Sequence, residues 1–170
     1  VIDTAFYSEE RETWLDFSEQ YATIQVPIYY NTELVGITGV SSLRGFTVGV
    51  KAGDSCIPVL ERYGVSQILE YTSYEEIIDA AKAGMIRVFV MDEPPAQYYL
   101  YQKSIRNEFA QTGSLYSGQF HRAVKENDWT TLHMVEDGFA KISPAEQQRI
   151  SDKWFGRTST QLYLSYFLRY

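Results

Sequence analysis

Apolar and polar positions change period repeatedly along this 170-residue chain, and the changes mark out alternating strands and helices. Residues 22–30 (ATIQVPIYY) are rich in β-formers, and Pro27 predicts an edge or bulge position because it has no N–H for a ladder. Residues 46–50 (FTVGV) and 68–71 read as further strands. Residues 86–91 (IRVFVM) are nearly continuous in apolar character, as a buried parallel strand is. Residues 117–124 (SGQFHRAV) predict a fifth strand. Helices are announced by their ends. Ser73-Tyr-Glu-Glu76 is a capping box, followed by one apolar face of Tyr74, Ile77, Ile78 and Ala81 and a stop at Gly84. A helix over 54–63 ends at Gly64, and one opened by Ser143-Pro-Ala-Glu146 runs to Trp154 and closes at Gly156.

From Phe46 to about Ser104 the order is strand, helix, strand, helix, strand, helix, which predicts an α/β fold with a parallel sheet. The flanks are shorter and less self-sufficient. A compact middle lobe inserted between two flanks, with the chain crossing twice, fits this pattern.

Composition narrows the partners. A hydrophobic share of 45% with 22% charged residues is globular, and a net charge of −7 with no basic cluster argues against a nucleic-acid partner. A small solute or another protein is the expected partner. The 14 tyrosines read either as wet, aromatic clefts or as sheet and core packing. Cys56 stands alone, so no intrachain disulfide forms, and this leaves both the cytoplasm and the periplasm open. No apolar run reaches membrane-spanning length. The segment from Leu162 to Leu168 reads equally as the approach to a membrane helix or as a last core helix.

Candidate chemistry is sparse on the catalytic side. His121 and His133 have no Cys or His at metal-ligand spacing, no G-x-S-x-G occurs, and no glycine-rich phosphate loop is present. No catalytic residue, metal ligand or cofactor is therefore assigned. Gly53, Asp54 and Ser55 follow a strand at the start of a helix, where N–H groups and the helix dipole favour an anion. Asp54 also reads as a helix cap, and so does Asp92 before Pro94. Arg11 lies among Glu9, Glu10 and Glu12, the setting of a surface ion pair.

Four fragments, in order, carry a resemblance. Ser8-Glu-Glu-Arg11 with Asp16-Phe-Ser-Glu-Gln-Tyr21, Phe46-Thr-Val-Gly-Val-Lys-Ala-Gly53, Gly84-Met-Ile-Arg-Val-Phe-Val-Met-Asp92 and Asp152-Lys-Trp-Phe-Gly156 resemble blocks of family 3 bacterial extracellular solute-binding proteins. The resemblance implies a two-lobed periplasmic-binding-protein-like (type II) fold with a ligand cleft between the lobes. It divides the chain into a partial first lobe (1–31 and 119–157), a complete second lobe (32–118) and a juxtamembrane-like tail (158–170). The opening part of the first lobe is absent, unless another chain supplies it, and a homodimer is expected.

By the same resemblance Arg11 takes a ligand carboxylate through its planar fork of donors, Asp92 receives a ligand amine, and Ser55 hydrogen-bonds the ligand. Gly53, Asp54 and Tyr7 complete the expected binding set. Asp54 departs from the uncharged Ser or Thr of many relatives and puts an ordinary amino acid pose in doubt. Arg87 replaces the family's usual Asp and predicts altered pairing. Tyr7, Trp14 and Tyr21 are candidates to line the cleft, with a core role favoured for Trp14, and Cys56 reads as a buried bystander.

Phe6-Tyr-Ser-Glu-Glu-Arg11, Phe120-His-Arg-Ala-Val124 and Ile142-Ser-Pro-Ala-Glu146 look most like the versions fused to membrane histidine kinases and diguanylate cyclases. The expected function is therefore a periplasmic, ligand-sensing domain of an inner-membrane signalling protein that binds an amino acid or related carboxylate. The alternatives are a free amino-acid-binding protein of an ABC transporter, a cleft enzyme using Asp92 or Glu93, and a module that retains only dimer contacts.

Overall fold

Residues 3–155 are described by the structure, a computed structural model. In chain order the elements are β1 (Asp3–Phe6), a 3-10 turn at Arg11–Thr13, β2 (Leu15–Phe17), β3 (Ala22–Asn31), a 3-10 turn at Val40–Leu43, β4 (Val48–Lys51) and α1 (Cys56–Arg62). Then come β5 (Ile68–Tyr71), α2 (Tyr74–Lys82), β6 (Val88–Val90), α3 (Glu93–Gln102), a 3-10 turn at Arg106–Glu108, β7 (Phe109–Lys125), α4 (Trp129–Ala140) and α5 (Pro144–Phe155). They group into two compact units: Gln20–Phe120, and the described residues before and after that segment. The whole of β3 falls in the Gln20–Phe120 unit, as does all of β7 up to Phe120. Gly156 and the expected tail at 158–170, with Leu162 to Leu168, lie outside the described residues.

In the Gln20–Phe120 unit the strand order is β7-β3-β6-β4-β5. β4 pairs in parallel with both β5 and β6, as the alternation from Phe46 onward predicts. Its two cores follow from the period of two along each strand. Val88 and Val90 of β6 share one layer with Val48 and Val50 of β4 and with Cys56 and Leu60 of α1. Phe89 and Met91 face the other layer, with Ile77, Ile78 and Ala81 of α2 and Ala96 and Leu100 of α3. Tyr29 of β3 stacks on Phe89 there, ring centroids 5.0 Å apart. Fully burying each such side chain contributes about 1.5–3 kcal/mol over leaving it exposed.

The helix ends form as their sequences dictate. The Ser73 side chain accepts the Glu76 N–H at 3.2 Å, and the Glu76 carboxylate reaches back to the Thr72 N–H at 3.0 Å. Gly84 turns left-handed (φ +72°) while the Met85 N–H closes on the Ala80 carbonyl at 2.9 Å, which ends α2. α3 ends in the same way but with Ser104 in the left-handed position (φ +61°) and Ile105 N–H bonded to the Leu100 carbonyl.

Pro27 lies on a bulge and not on an edge. β3 runs between β7 and β6, and its pairing with β7 shifts register on both sides of Pro27. Two β7 hydroxyls patch the ladder: Ser114 Oγ accepts the Val26 N–H at 3.1 Å, and Thr112 Oγ1 accepts the Ile28 N–H at 3.4 Å.

In the other unit β2 pairs antiparallel with the end of β7, Leu15 opposite Lys125 and Phe17 opposite Ala123, and β1 also lies beside β7. Asp128 caps α4 by accepting the Thr131 N–H at 3.3 Å, and Ser143 caps α5 through the Glu146 N–H at 3.3 Å. β1 and β2 are absent from the sequence expectation, because four and three residues are too short to display a period. The expected strand at 117–124 is the second half of β7. Its first half carries Gly113 and Ser114 among exposed positions, which conceals the alternation.

Candidate functional site

The sheet of the Gln20–Phe120 unit reverses its winding at one point. From β4 the chain moves outward to β5, then returns to lay β6 on the opposite side of β4. The direction of winding therefore reverses between β4 and β6, and the crevice beyond their carboxyl ends is the place where open α/β sheets bind ligands. β4 runs out at Lys51, turns through Gly53 (φ +70°) and reaches Asp54 just before α1. β6 runs out at Val90 and reaches Asp92 at the start of α3. The two carboxylates flank the reversal.

Tyr74, the first residue of α2, connects them. Its hydroxyl donates to Asp92 Oδ2 at 3.0 Å and lies 3.5 Å from Asp54 Oδ2. Asp54 spends its other oxygen on the Cys56 N–H at 2.9 Å, so it serves as a cap for α1 from one position upstream. Asp92 occupies the capping position of α3, yet its side chain makes no capping bond and stays with Tyr74. The Ser55 hydroxyl pairs with the Tyr116 hydroxyl of β7 at 3.1 Å. The Lys51 ammonium stands over the Tyr74 ring, 5.3 Å from its centroid.

The electrostatics are those of two acids in a half-buried place. Burial pushes the Asp92 carboxyl above its ordinary value; the Asp54 charge adds to this, while the Tyr74 hydrogen bond and Lys51 oppose it. Burial first, and then the negative charges of Asp92 and Asp54, push the Tyr74 hydroxyl far up, so it remains a donor. Burial likewise raises the Tyr116 hydroxyl and the Cys56 thiol. A buried, protonated Cys56 is a packing residue, not a nucleophile.

The expected row of ligand-facing N–H groups at Gly53–Ser55 is largely turned inward. Gly53 N–H goes to Glu70 Oε2 at 3.3 Å, and Asp54 N–H goes to the Lys51 carbonyl at 3.1 Å. The Ile57 N–H is taken by the Asp54 carbonyl at 3.1 Å.

Arg11 and Tyr7 belong to the other unit. Arg11 Nη1 donates to the Phe6 carbonyl at 2.9 Å, and its backbone N–H goes to Ser8 Oγ at 3.2 Å. Tyr7 donates to Glu12 at 2.7 Å, which raises its hydroxyl, and its ring meets Phe17 edge-on at 5.4 Å. His121 packs against both rings, and its Nδ1 donates to the Ser18 carbonyl at 2.8 Å. His133 is exposed on α4. Trp14, for which a core role was favoured, is 54% exposed, because the 3-10 turn before β2 directs it outward. Arg87 pairs with Glu33 at 2.8 Å and Asn31 Oδ1 at 3.2 Å on the surface.

The structure therefore brings Gly53, Asp54, Ser55 and Asp92 together and adds Lys51, Tyr74 and Tyr116. None of these three additions is marked in the sequence. Tyr74 reads there only as part of an apolar helix face, and Tyr116 falls in the concealed half of β7. No group of three or more His, Cys, Asp or Glu side chains suited to a metal ion occurs among the described residues.

No protein-family model and no curated protein matches the chain. Solved structures do. A histidine kinase sensor domain with similarity to periplasmic binding proteins superposes with a TM-score of 0.82 at 19% identity, over 91% of this chain and 69% of that one. A variant of ArgBP from T. maritima gives 0.79 at 19% identity, over 91% and 69%. The periplasmic VFT2 domain of BvgS from Bordetella pertussis gives 0.70 at 20% identity, over 89% and 65%. The chain has the α/β fold of periplasmic-binding-protein-like domains.

Proposed function

We propose that this chain is an extracytoplasmic ligand-sensing domain of the family 3 solute-binding type, belonging to an inner-membrane signalling protein that works as a homodimer. It binds a small polar solute, an amino acid or related carboxylate, and does not turn it over. The observation that carries this reading is the placement of Asp54 and Asp92 on either side of the winding reversal between β4 and β6, with Tyr74 holding Asp92 off its helix cap. Asp92 and Ser55 contact the ligand. The similarity to a histidine kinase sensor domain supports signalling, that to the periplasmic BvgS domain supports an extracytoplasmic place, and that to an ancestral arginine-binding protein bound to arginine supports an amino acid ligand. A second reading, a free binding protein of an ABC transporter, is favoured by similarity to a substrate binding protein of an ABC uptake transporter from Streptococcus pneumoniae.

Binding is tested by thermal melting and calorimetry of the protein against the standard amino acids and small carboxylates. At least one is expected to raise the melting temperature, and Asp92→Asn is expected to abolish that rise. No response to any of them would sink the proposal. Ligand-dependent output from the parent protein in membranes separates the sensor from the transport component.

A further inference from the structure

We propose that Tyr116 is a positioning residue for ligand recognition: it donates its hydroxyl proton to Ser55 and so leaves the Ser55 proton to be given to an oxygen of the bound solute. This rests on the solute-binding reading above and adds a residue of β7 that acts through Ser55.

The backbone places Tyr116. β3 and β7 keep one register from Ala22 opposite Phe120 to Val26 opposite Tyr116, and then Pro27 stands opposite Ser114. Leu115 is left over as the extra residue of the bulge. In a regular strand Leu115 and Tyr116 would point to opposite faces. Here both pack against the layer that holds Val26, Val50, Cys56 and Leu60. The Ser114 hydroxyl fixes this geometry, since it donates to the Tyr116 carbonyl while it accepts the Val26 N–H. A proline in β3 that cannot feed the ladder thus goes with a tyrosine of β7 aimed at the start of α1, where its oxygen lies 3.1 Å from Ser55 Oγ.

Proton counting gives the direction. The two hydroxyls carry two protons and share one hydrogen bond, so one proton stays available. A phenol is more acidic than an aliphatic alcohol, which makes Tyr116 the better donor and Ser55 the better acceptor. Burial holds the Tyr116 hydroxyl well above its ordinary value, so it keeps the proton it gives.

Exposure agrees with that direction. Tyr116 is half-buried and Ser55 is exposed just beyond the carboxyl end of β4. If Ser55 were the donor, the half-buried phenol would hold an unspent proton, which is the costly arrangement. With Tyr116 as donor, the free proton sits on the exposed serine at the crevice, and the bond behind it strengthens it as a donor.

The test is calorimetry with the standard amino acids and succinate as probes, the tightest binder being carried through a cycle of Tyr116→Phe, Ser55→Ala and both together. Tyr116→Phe is expected to weaken binding by about three- to tenfold, the worth of one ordinary hydrogen bond. In the Ser55→Ala background the same change is expected to cost nothing further, because the residue it acts through is gone. A merely structural Tyr116 would cost the same factor in both backgrounds, and that result overturns the proposal. Unchanged or tighter binding by Tyr116→Phe overturns it as well and leaves the solute-binding reading standing. Binding of none of the probes overturns both. If Ser55→Ala abolishes measurable binding, Ser55→Thr, which keeps the hydroxyl, is expected to show the full loss on Tyr116→Phe, and its absence there overturns the proposal. If Tyr116→Phe fails to fold, Tyr116→Met takes its place with the same outcomes.

Discussion

Tyr74 donates its hydroxyl proton to Asp92 at 3.0 Å, and this bond joins the first turn of α2 to the end of β6. It keeps Asp92 from folding back onto its own helix. Tyr74→Phe is expected to remove the interaction that holds the Asp92 carboxyl down and so to raise its titration further. The same change is expected to lower stability by about 1 kcal/mol. Carbon-detected NMR titration of the Asp92 carboxyl checks the first effect and urea unfolding the second; an unmoved titration would contradict the assigned bond.

Asp92 gives a second prediction through the pH dependence of folding. Its folded value lies above the ordinary 3.8, so the folded chain holds this proton more tightly than the unfolded chain does. Stability from this group is then greatest below 3.8 and falls as the pH rises through the raised folded value. Asp92→Asn, which keeps an acceptor for Tyr74, is expected to remove that fall and to raise the melting temperature of the unliganded protein at neutral pH. Melting curves across pH 3 to 8 decide it, and a lower neutral-pH melting temperature for the variant would refute the sign.

The bulge at Pro27 depends on a borrowed hydroxyl. Ser114→Ala leaves the part-buried Val26 N–H without its 3.1 Å partner and is expected to cost about 1–2 kcal/mol. Chemical denaturation measures this, with amide exchange at Val26 as the local readout. A neutral result would mean that Val26 finds another acceptor.

Ser104 ends α3 in the left-handed conformation that glycine fills at the ends of α1 and α2. Ser104→Gly is expected to stabilise the protein by about 0.5–1 kcal/mol, since glycine removes the Cβ penalty there and offsets its larger unfolded-state entropy. A decrease in melting temperature would show that the serine side chain contributes something beyond backbone geometry.

What could be read in the sequence followed the range of the interactions. The ends of α2 needed only Ser73, Glu76 and Gly84, residues within a few positions of the bonds they form, and they formed as written. The parallel strands could be read for the same reason, because Val88 to Val90 alternate between two cores and so are apolar throughout. Pro27 was half legible: its missing N–H demanded an edge or a bulge, and only the pairing of β3 on both sides chose the bulge. Tyr74 and Tyr116 were not legible as site residues. Their partners lie 18 and 61 positions away, and nothing in an aromatic residue's own neighbourhood announces such a contact. Trp14 failed for a related reason, since hydrophobicity says that a tryptophan favours burial but a three-residue turn decides which way it points.

The first and last parts of the Gln20–Phe120 unit are hydrogen-bonded neighbours: Ala22 sits opposite Phe120 and the Tyr21 N–H meets the Phe120 carbonyl at 3.0 Å. A continuous segment whose two ends are tied to each other is a cassette. It can be lifted out, or exchanged for another of the same fold, by cutting at one pair of adjacent points. Asp54, Ser55, Tyr74, Asp92 and Tyr116 all lie inside it, so the hydrogen-bonded cluster they form travels as a single piece.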